Sequence, residues 1–578
     1  MNNNHERKKT PKAIVIGLDA ATWTLVRPWV EEGRLPNLAK LISGGVSGSL
    51  ESVLPPITPP AWTSFMTGKR PAKHGIFNFV QSKNRAAYSS NYVNGGSRRS
   101  PTFFQLLNEA GYTVGTVNIP FTYPPEPLDG FQISGLDTPD EKSPFVHPTS
   151  LHEELRRQFG KIVHDIRFLG YMSNNERRAR VLAEMAQLDE QWTKTALYLL
   201  DNHPQDLMMF VFMSIDTVQH YFWQYLDPNH FLHDPEVDPR LRHAVRAVYE
   251  RLDAATGRII EKLPPETTVF VVSDHGGGPV ADRVIYLNRY LAQLGLLHYI
   301  PRTRSALYTI PTKLFRGFLA LLRNSLTSRQ KSYFAKFFPK LRKKAELSYT
   351  SFDSIDWTKT KAYCSEVLAA PPSIRINLKG VKRQGIVEPE EYEALLDFII
   401  GKLKELKDPR TGKPVITRVY RRKELYDGPF ANETADLILD WWSEDSLFST
   451  EPSFPEDTHK PALVVCEHKP SGKSEWGGTH RLHGIVIGRG PAIRKSAEIS
   501  DARLIDLAPT ILHLFGVSVP DDMDGRVLSE IFRPEFLASH PVQTGAATGT
   551  SWRDTESGYT EEESSKVEER LQALGYLE

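Results

Sequence analysis

Three short apolar segments each run up to an aspartate, and this recurrence constrains the fold more than any other feature of the sequence. The segments are AIVIGL before Asp19, LMMFVFM shortly before Asp216, and TVFVV shortly before Asp274. Each run is too short for a buried helix and suits a strand that is covered on both faces. Helical patterns lie between the runs, so we expect an α/β fold with a mainly parallel central sheet flanked by helices. Since sites gather beyond the carboxyl ends of such strands, the three aspartates are expected to mark a functional site.

The chain has 578 residues and a formal net charge of +1. This length accommodates a main domain with a substantial insertion. A net charge near zero gives no polyelectrolyte character, so the composition indicates no specific nucleic-acid partner. The two cysteines, Cys364 and Cys466, are far apart and lack metal-ligand spacing. A disulfide framework is therefore not expected, which fits a reducing compartment.

The N-terminal sequence MNNNHERKKTPK leads directly into the first strand and lacks the apolar stretch of a signal peptide. The sequence also contains no uninterrupted apolar run of about 18 residues that would span a bilayer. We therefore expect a cytoplasmic location.

Residues 302–344 form the most unusual segment of the chain, with a dozen Lys and Arg, no Asp or Glu, and interleaved Phe, Leu and Tyr. This pattern predicts an inserted basic helical cap. Three interpretations are open for it. The segment grips an anionic substrate, lies on an anionic membrane surface, or presents a solvated basic face while its apolar side is buried in the cap.

The C-terminal part of the chain has two compositions. Residues 540–558 are rich in Thr, Ser and Gly and predict a linker. Beyond them, Val567, Leu571 and Leu574 share one helical face, so we expect the last helix to dock on the rest of the protein. We divide the chain accordingly into a disordered N-terminus (1–11), a first part of the catalytic core (12–300), the inserted cap (301–420), a second part of the core (421–535), the linker (536–558) and a C-terminal helix (559–578).

The segment LPPITPPAWTSFMTG, residues 54–68, places a hydroxyl at a helix start. Pro59 and Pro60 suit the first turn of a helix through Thr67, and Gly68 ends it. Two interpretations of Thr58 are open. Its hydroxyl caps the helix, or the free N–H groups and the positive end of the helix dipole make it a place where a phosphate binds and is attacked.

Several Asp and His residues have spacings that suit metal binding. Asp216 and His220 are four residues apart in SIDTVQH, so on a helix they face the same way and can share one divalent ion; a solvated face or a local hydrogen bond is the alternative. Asp274-His275 precedes three glycines, which allow a backbone to approach a ligand closely. His480 lies just before a strand, with His483 as its competitor. Mixed Asp and His ligands suit zinc or a similar ion, and there are enough for two sites.

A set of motifs in this order resembles the alkaline phosphatase superfamily, in particular its type I phosphodiesterase and nucleotide pyrophosphatase branch and related predicted phosphohydrolases or phosphomutases. The motifs are GLDA, PNLAKLISGG, ITPPAWTSFMTGKRPAKHGI, SIDTVQH, VVSDHGGG, GTHRLHGIVIGRGP and DLAPTILHLFG. They cover residues 12 to 533. The resemblance implies an alkaline phosphatase-like core and a phosphoester hydrolase.

The resemblance also implies roles for individual residues. Thr58 matches the nucleophile and lies beside the second of two metal ions, which are Zn²⁺ or, as an alternative, Mn²⁺. Asn78 lies one position off the register of the family's phosphate-binding Asn and is the candidate substrate-binding residue, while His74 matches a structural position. The implied ligands are Asp216, His220 and His480 for one ion, and Asp19, Asp274, His275 and Thr58 for the other.

The implied function is a metal-dependent phosphodiesterase or nucleotide pyrophosphatase that acts on a small, nucleotide-like phosphoester. Attack by Thr58 on phosphorus would give a phosphothreonine that water hydrolyses. A phosphomonoesterase or phosphomutase of the same superfamily is the first alternative. A non-catalytic anion-binding protein that has kept the fold is the second.

Overall fold

The structure is a computed structural model that describes residues 10–81, 91–162, 174–300, 354–364, 372–443, 446–466, 477–546 and 559–573. The basic segment 302–344, on which the predicted cap depends, lies outside the described residues. Residues 1–9 of the predicted disordered N-terminus also lie outside them.

A nine-stranded sheet forms the centre of the molecule. Five of its eight strand pairs are parallel, which confirms the predicted α/β class with a mainly parallel sheet. The three strands that precede the aspartates are neighbours, with the first strand in the middle. In spatial order the strands are Ala497–Arg503, Val46–Glu51, His483–Arg489, Thr268–Val272, Ala13–Leu18, Leu207–Phe212, Val114–Ile119, Gly130–Ser134 and Val146–His147.

Strand register brings the three aspartate-bearing segments to one edge of the sheet. Leu18 pairs with Phe212, and Gly17 pairs with both Val211 and Val272. The residues that follow these strands therefore leave the sheet at the same level.

Helices cover both faces of the sheet because side chains on successive strand residues point to opposite faces. Ile14 and Ile16 belong to one apolar core, whereas Ala13 and Val15 belong to the other. The first core contains residues of the helices Trp23–Glu31, Pro36–Gly44, Asn175–Asn202, Ser214–Leu226 and Ala244–Glu261. The second contains residues of Thr58–Thr67, Phe103–Glu109 and Leu507–Leu514.

One helix prediction needs correction. The sequence pattern suggests a single helix from Pro239 to Leu263, but the structure has two helices, Pro239–Arg242 and Ala244–Glu261, separated at His243. The Asp238 side chain accepts a hydrogen bond from Arg240 N and caps the first of them. The hydrophobic periodicity of the sequence continues across His243, so the periodicity does not predict the break.

Described residues between 362 and 439 form a second, smaller sheet with its own apolar core. The helices Leu287–Gln293 and Tyr392–Lys404 pack against this core. The boundary expected after residue 420 falls within the strand Val419–Arg421 of this sheet, and the division into core and inserted cap stays a prediction. The strands, all antiparallel and in spatial order, are Ala362–Cys364, Ser373–Ile376, Leu437–Leu439 and Val419–Arg421.

Shorter elements complete the described structure. The helices are Pro71–His74, Thr149–Phe159, Arg422–Leu425 and Pro534–Ser539. The strands Ser449–Thr450, Arg283–Ile285 and Leu463–Val465 form one small sheet, and Val80–Gln81 pairs with Asn91–Tyr92. Among the described residues, no helix has the length and apolar composition needed to cross a membrane.

The C-terminal region is more ordered than its composition predicts. The expected linker, residues 536–558, begins within the helix Pro534–Ser539, and Thr544–Gly545 pairs with Val519–Pro520. The linker assignment can therefore hold only for residues 547–558, which lie outside the described residues. The last helix, Glu561–Ala573, buries Val567 and Leu571 in the first core, as its apolar face predicts.

Candidate metal centre

The carboxyl edge of the central sheet collects a buried group of Asp, His and Thr side chains. Asp19 directly follows its strand, Asp216 lies in the first turn of the helix Ser214–Leu226, and Asp274 lies two residues after its strand. The structure places seven candidate residues here, each at most 5% exposed: Asp19, Thr58, Asp216, His220, Asp274, His275 and His480.

One group of ligand atoms is formed by Asp216, His220 and His480. Asp216 Oδ1 lies 3.2 Å from His220 Nε2 and 3.3 Å from His480 Nε2. The two Nε2 atoms are 2.9 Å apart. Asp216 and His220 come from one helical turn, as their spacing predicts, whereas His480 comes from the strand Gly478–Arg481.

Backbone carbonyls orient both of these imidazoles. His220 Nδ1 donates to Gly478 O at 2.9 Å, and His480 Nδ1 donates to Pro56 O at 3.0 Å. A carbonyl only accepts, so Nδ1 carries the hydrogen and, in the neutral ring, Nε2 carries the lone pair. Burial, followed by the charge of His275, lowers the pKa of His480 to about 4, so this ring is neutral near pH 7. Two lone pairs that face one carboxylate oxygen suit a cation.

A second group surrounds Asp19, Asp274 and His275. His275 Nε2 lies 3.3 Å from Asp274 Oδ2 and 3.8 Å from Asp19 Oδ1. Its Nδ1 donates to Gly276 O at 3.0 Å, so Nε2 is again the acceptor. Four buried atoms here have no hydrogen-bond partner in the part of the chain that the structure describes: Asp19 Oδ1, Thr58 Oγ1, Asp274 Oδ2 and His275 Nε2.

The composition of the second group differs in one respect from the implied ligand set. A tight cluster of possible ligand atoms contains Asp19, Asp216 and His275. Asp274 lies next to this cluster, where its Oδ2 contacts His275 Nε2. The Asp216 carboxylate therefore faces both groups.

The other carboxylate oxygens of the second group are occupied, which leaves one oxygen of each residue for an ion. Trp62 Nε1 donates to Asp19 Oδ2 at 2.7 Å. Ala20 N donates to Asp274 Oδ1 at 3.3 Å. Unpartnered buried polar atoms are costly, and a divalent cation would satisfy all four of them at once. The residues present thus fit a metal ion.

The electrostatics of the three aspartates lead to the same conclusion. Burial, followed by the charges of Asp274 and Asp216, raises the pKa of Asp19 well above its usual value. Burial and the charge of Asp216 raise the pKa of Asp274 to about 7. Burial also opposes ionisation of Asp216, whereas the positive charge that the neighbouring imidazoles carry when protonated, His220 first, holds its pKa well below its usual value. Among the described residues, no Lys or Arg pairs with Asp19 or Asp274, so a cation would lower the cost of ionising them.

Thr58 is the first residue of its helix and follows Ile57. Its hydroxyl makes no capping hydrogen bond, so the structure does not support the capping interpretation. The other interpretation, a helix start that binds a phosphate, also changes in one respect. Pro59 and Pro60 have no N–H, and Ala61 N donates to Ile57 O, so the helix end offers an anion fewer donors than a typical helix start. What distinguishes Thr58 is its free hydroxyl beside the Asp and His group.

Three neighbouring candidates are resolved differently. His483 is exposed whereas His480 is buried, which favours His480 as the ligand. His74 is structural, as expected, because its Nε2 contacts Ser64 Oγ at 2.8 Å and its Nδ1 accepts from Ile76 N. Asn78 is half-buried, and its Oδ1 accepts from Phe79 N at 2.8 Å. A substrate contact of Asn78 stays a prediction.

Two residues of the site were missed in the sequence. In the sequence, Trp62 has the pattern of an ordinary apolar helix residue, but it lies one turn after Thr58, and a buried indole N–H needs an acceptor. Gly17 makes room for it, since a Cβ there would lie 2.7 Å from the Trp62 ring. Gln219, which lies between two predicted ligands in sequence, is buried and donates to Ala20 O.

An α/β sheet with buried Asp and His residues at its carboxyl edge is the arrangement of an α/β enzyme whose active site lies beyond its parallel strands. The sequence pattern of the family "type I phosphodiesterase / nucleotide pyrophosphatase" matches residues 13–461, and the chain belongs to this family of phosphoric ester hydrolases. The match confirms the resemblance to that branch. It ends before His480, which the structure nevertheless brings to Asp216 and His220. No curated protein matches the chain.

Solved structures show distant likeness. Human ectonucleotide pyrophosphatase/phosphodiesterase 5 is 14% identical with a TM-score of 0.46, and the match covers 90% of this chain and 100% of that one. Phosphonoacetate hydrolase from Sinorhizobium meliloti, solved with phosphonoformate, is 15% identical with a TM-score of 0.49, covering 86% and 94%. An inactive variant of the murine ectonucleotide enzyme, solved with AMP, is 13% identical with a TM-score of 0.46, covering 90% and 100%.

Proposed function

We propose that this protein is a metal-dependent phosphodiesterase or nucleotide pyrophosphatase that uses Thr58 as its nucleophile and holds two divalent ions. One observation carries the proposal. The buried Thr58 hydroxyl has no hydrogen-bond partner among the described residues, and neither do the facing atoms of Asp19, Asp274 and His275. Family membership supplies the reaction class, and the substrate proposed is a small, nucleotide-like phosphoester.

The proposed ligands divide into two sets. Asp216, His220 and His480 would hold one ion, and Asp19, Asp274, His275 and Thr58 the other. Zn²⁺ is the proposed ion because it accepts both imidazole and carboxylate ligands, and Mn²⁺ is the alternative. When bound, such ions would neutralise charge on the phosphoryl oxygens and favour the ionised form of a nearby hydroxyl.

The proposed reaction is a displacement at phosphorus. Thr58 Oγ loses its proton as its bond to phosphorus forms, and the leaving oxygen gains a proton as its own bond to phosphorus breaks. Water then splits the phosphothreonine and restores the hydroxyl. Burial of Thr58 excludes bulk water around the nucleophile, which strengthens electrostatic interactions there.

The helix that bears Thr58 offers a matched control for the nucleophile. Thr63 is also fully buried, and its Oγ1 likewise has no hydrogen-bond partner within the described segments. We would compare Thr58→Val with Thr63→Val on a chromogenic phosphodiester and the matching monoester, with Zn²⁺ or Mn²⁺. Thr58→Val is expected to lose at least about 1000-fold in kcat, since a missing nucleophile removes the covalent route. Thr63→Val is expected to stay within a few-fold of the native enzyme.

The same assay separates the alternatives. Preference for the monoester would favour a phosphomonoesterase or phosphomutase. Two bound ions without turnover of either ester would favour an anion-binding role. Full activity of Thr58→Val would contradict the proposed nucleophile whichever ester is preferred.

A further inference from the structure

Gln219 contacts the segments that carry the other ligands, although it has no assigned role. It lies on the helix Ser214–Leu226 between Asp216 and His220 and is 2% exposed. Its Nε2 donates to Ala20 O at 2.9 Å, directly after Asp19 in the chain.

Two glycines bring the remaining ligand segments against the same residue. A Cβ at Gly277, two residues after His275, would lie 2.5 Å from Gln219 Oε1. A Cβ at Gly478, two residues before His480, would lie 2.3 Å from Gln219 O. Any side chain at either position would collide with Gln219. The absence of side chains at these positions therefore allows the two segments to lie directly against this residue.

The Ala20 residue links Gln219 to the second ligand group through two hydrogen bonds. Ala20 has a φ of 60°, in the left-handed region that a residue with a Cβ rarely adopts. In this conformation its carbonyl accepts from Gln219 while its N–H donates to Asp274 Oδ1. That bond leaves Asp274 Oδ2 directed to within 3.3 Å of His275 Nε2.

We propose that Gln219 is a positioning residue that holds the ligands of the second ion from the helix that carries the ligands of the first. The inference rests on the proposed two-ion function. Gln219 acts through the Ala20 peptide on Asp274, and it makes the second site depend on the placement of the helix Ser214–Leu226. Residues that orient metal ligands in this way typically contribute about 10- to 100-fold to metal affinity.

The helix also provides a matched control. Gln224 is 4% exposed, and its Nε2 donates to Tyr221 O of its own helix. Gln219→Met and Gln224→Met each keep the length of the side chain but remove its amide. We would measure bound zinc by mass spectrometry on the full chain, equilibrated across a series of buffered free Zn²⁺ concentrations.

Gln219→Met is expected to bind its second ion at least about 10-fold more weakly than the native protein, with the first ion unchanged within about twofold. Gln224→Met is expected to bind both ions as the native protein does. Equal affinity of Gln219→Met and the native protein for both ions would overturn the inference. A native protein that binds fewer than two ions would overturn the proposed two-ion centre as well, so the two failures are distinguishable.

Gln219→Glu tests the same contact if the methionine variant does not fold. A carboxylate has nearly the same shape but cannot donate to Ala20 O when ionised. Its negative charge alone would strengthen cation binding, whereas loss of the donor weakens it. We expect weaker binding of the second ion at pH 8, and unchanged or tighter binding would overturn the inference.

A double-mutant cycle tests the route through Asp274. If Gln219 acts by orienting this carboxylate, the double variant Gln219→Met/Asp274→Asn should bind the second ion no more weakly than Asp274→Asn alone. Independent, multiplicative losses of affinity would contradict that route.

Discussion

The Nε2 atoms of His220 and His480 lie 2.9 Å apart and both face Asp216 Oδ1. Since each ring donates its Nδ1–H to a backbone carbonyl, both Nε2 atoms present lone pairs in the neutral rings. The protein therefore places two imidazole acceptors against one carboxylate oxygen.

Removal of metal is expected to destabilise the protein. Each ion that binds only the folded state adds about 2.7 kcal/mol to the free energy of unfolding when its free concentration is 100 times its dissociation constant. Thermal unfolding should therefore occur at a lower temperature with a chelator, and Zn²⁺ should restore the native midpoint. An unchanged midpoint with the chelator, in protein shown to be metal-free, would contradict a metal site of this kind.

The stabilisation by zinc is expected to grow as the pH rises from 6 to 8. Burial and Asp216 raise the pKa of Asp274 to about 7, so the folded metal-free protein holds a proton that the unfolded chain releases near pH 4. The stability from that proton is present below pH 4 and lost as the pH rises through 7, because the ionised carboxylate is then buried without a cation. An ion must displace the same proton below pH 7. The measurement is the difference in unfolding midpoint with and without Zn²⁺, and a difference that shrinks with rising pH would contradict this account.

The fold class was predictable because its signal is local: short apolar runs, each followed closely by an aspartate, can be recognised in the sequence itself. The pairing of Asp216 with His220 was equally local, since it needs only one helical turn. The choice of His480 over His483 was not local. It depends on the pairing of Gly478–Arg481 with Gly276–Pro279, which joins segments two hundred residues apart.

The residues that orient the ligands were not predictable for the same reason. Trp62 and Gln219 are residue types that are common in buried helices. Their roles follow from hydrogen bonds to Asp19 and Ala20, which no spacing in the sequence predicts. The pairing of Thr544–Gly545 with Val519–Pro520 likewise depends on a tertiary contact. The basic segment 302–344 and the cytoplasmic location stay predictions.

Replacing Thr58 by Val is expected to separate stability from metal binding. The hydroxyl is buried and has no hydrogen-bond partner among the residues that the structure describes, so an isosteric methyl should leave the metal-free protein as stable or raise its free energy of unfolding by about 1 kcal/mol. The variant should gain less from Zn²⁺ than the native protein, because one proposed ligand is missing. Urea unfolding with and without Zn²⁺ measures both quantities. A variant that gains as much from Zn²⁺ as the native protein would exclude Thr58 as a ligand.

Replacing His74 is expected to affect stability and not metal content. Burial, followed by the charges of Arg98 and Lys69, lowers the pKa of His74 to about 3, so the ring stays neutral from pH 5 to 9. His74→Ala removes the contact with Ser64 and the acceptor for Ile76 N, and it leaves a cavity. We expect a loss of about 2–4 kcal/mol in the free energy of unfolding with two ions still bound. Loss of zinc from folded His74→Ala would instead assign the residue to the metal centre.

The C-terminal helix is expected to stabilise the catalytic core from outside the site. Val567 and Leu571 are buried in the first core, and Lys566 Nζ lies 2.8 Å from Asp140 Oδ2. Leu571→Ala should therefore lower the free energy of unfolding by about 2–5 kcal/mol, or by less if the helix detaches before the core unfolds. Zinc stoichiometry should not change, because the helix contributes no ligand.

Glu562→Ala provides the control on the same helix. Glu562 is largely exposed and pairs across the surface with Lys566 at 2.9 Å, so its removal should cost less than about 1 kcal/mol. Urea unfolding of both variants, monitored by tryptophan fluorescence, would measure the difference between their free energies of unfolding. Equal midpoints for Leu571→Ala and Glu562→Ala would mean that the helix is not docked in solution. A lower midpoint for Leu571→Ala alone would show that the core depends on its own C-terminus.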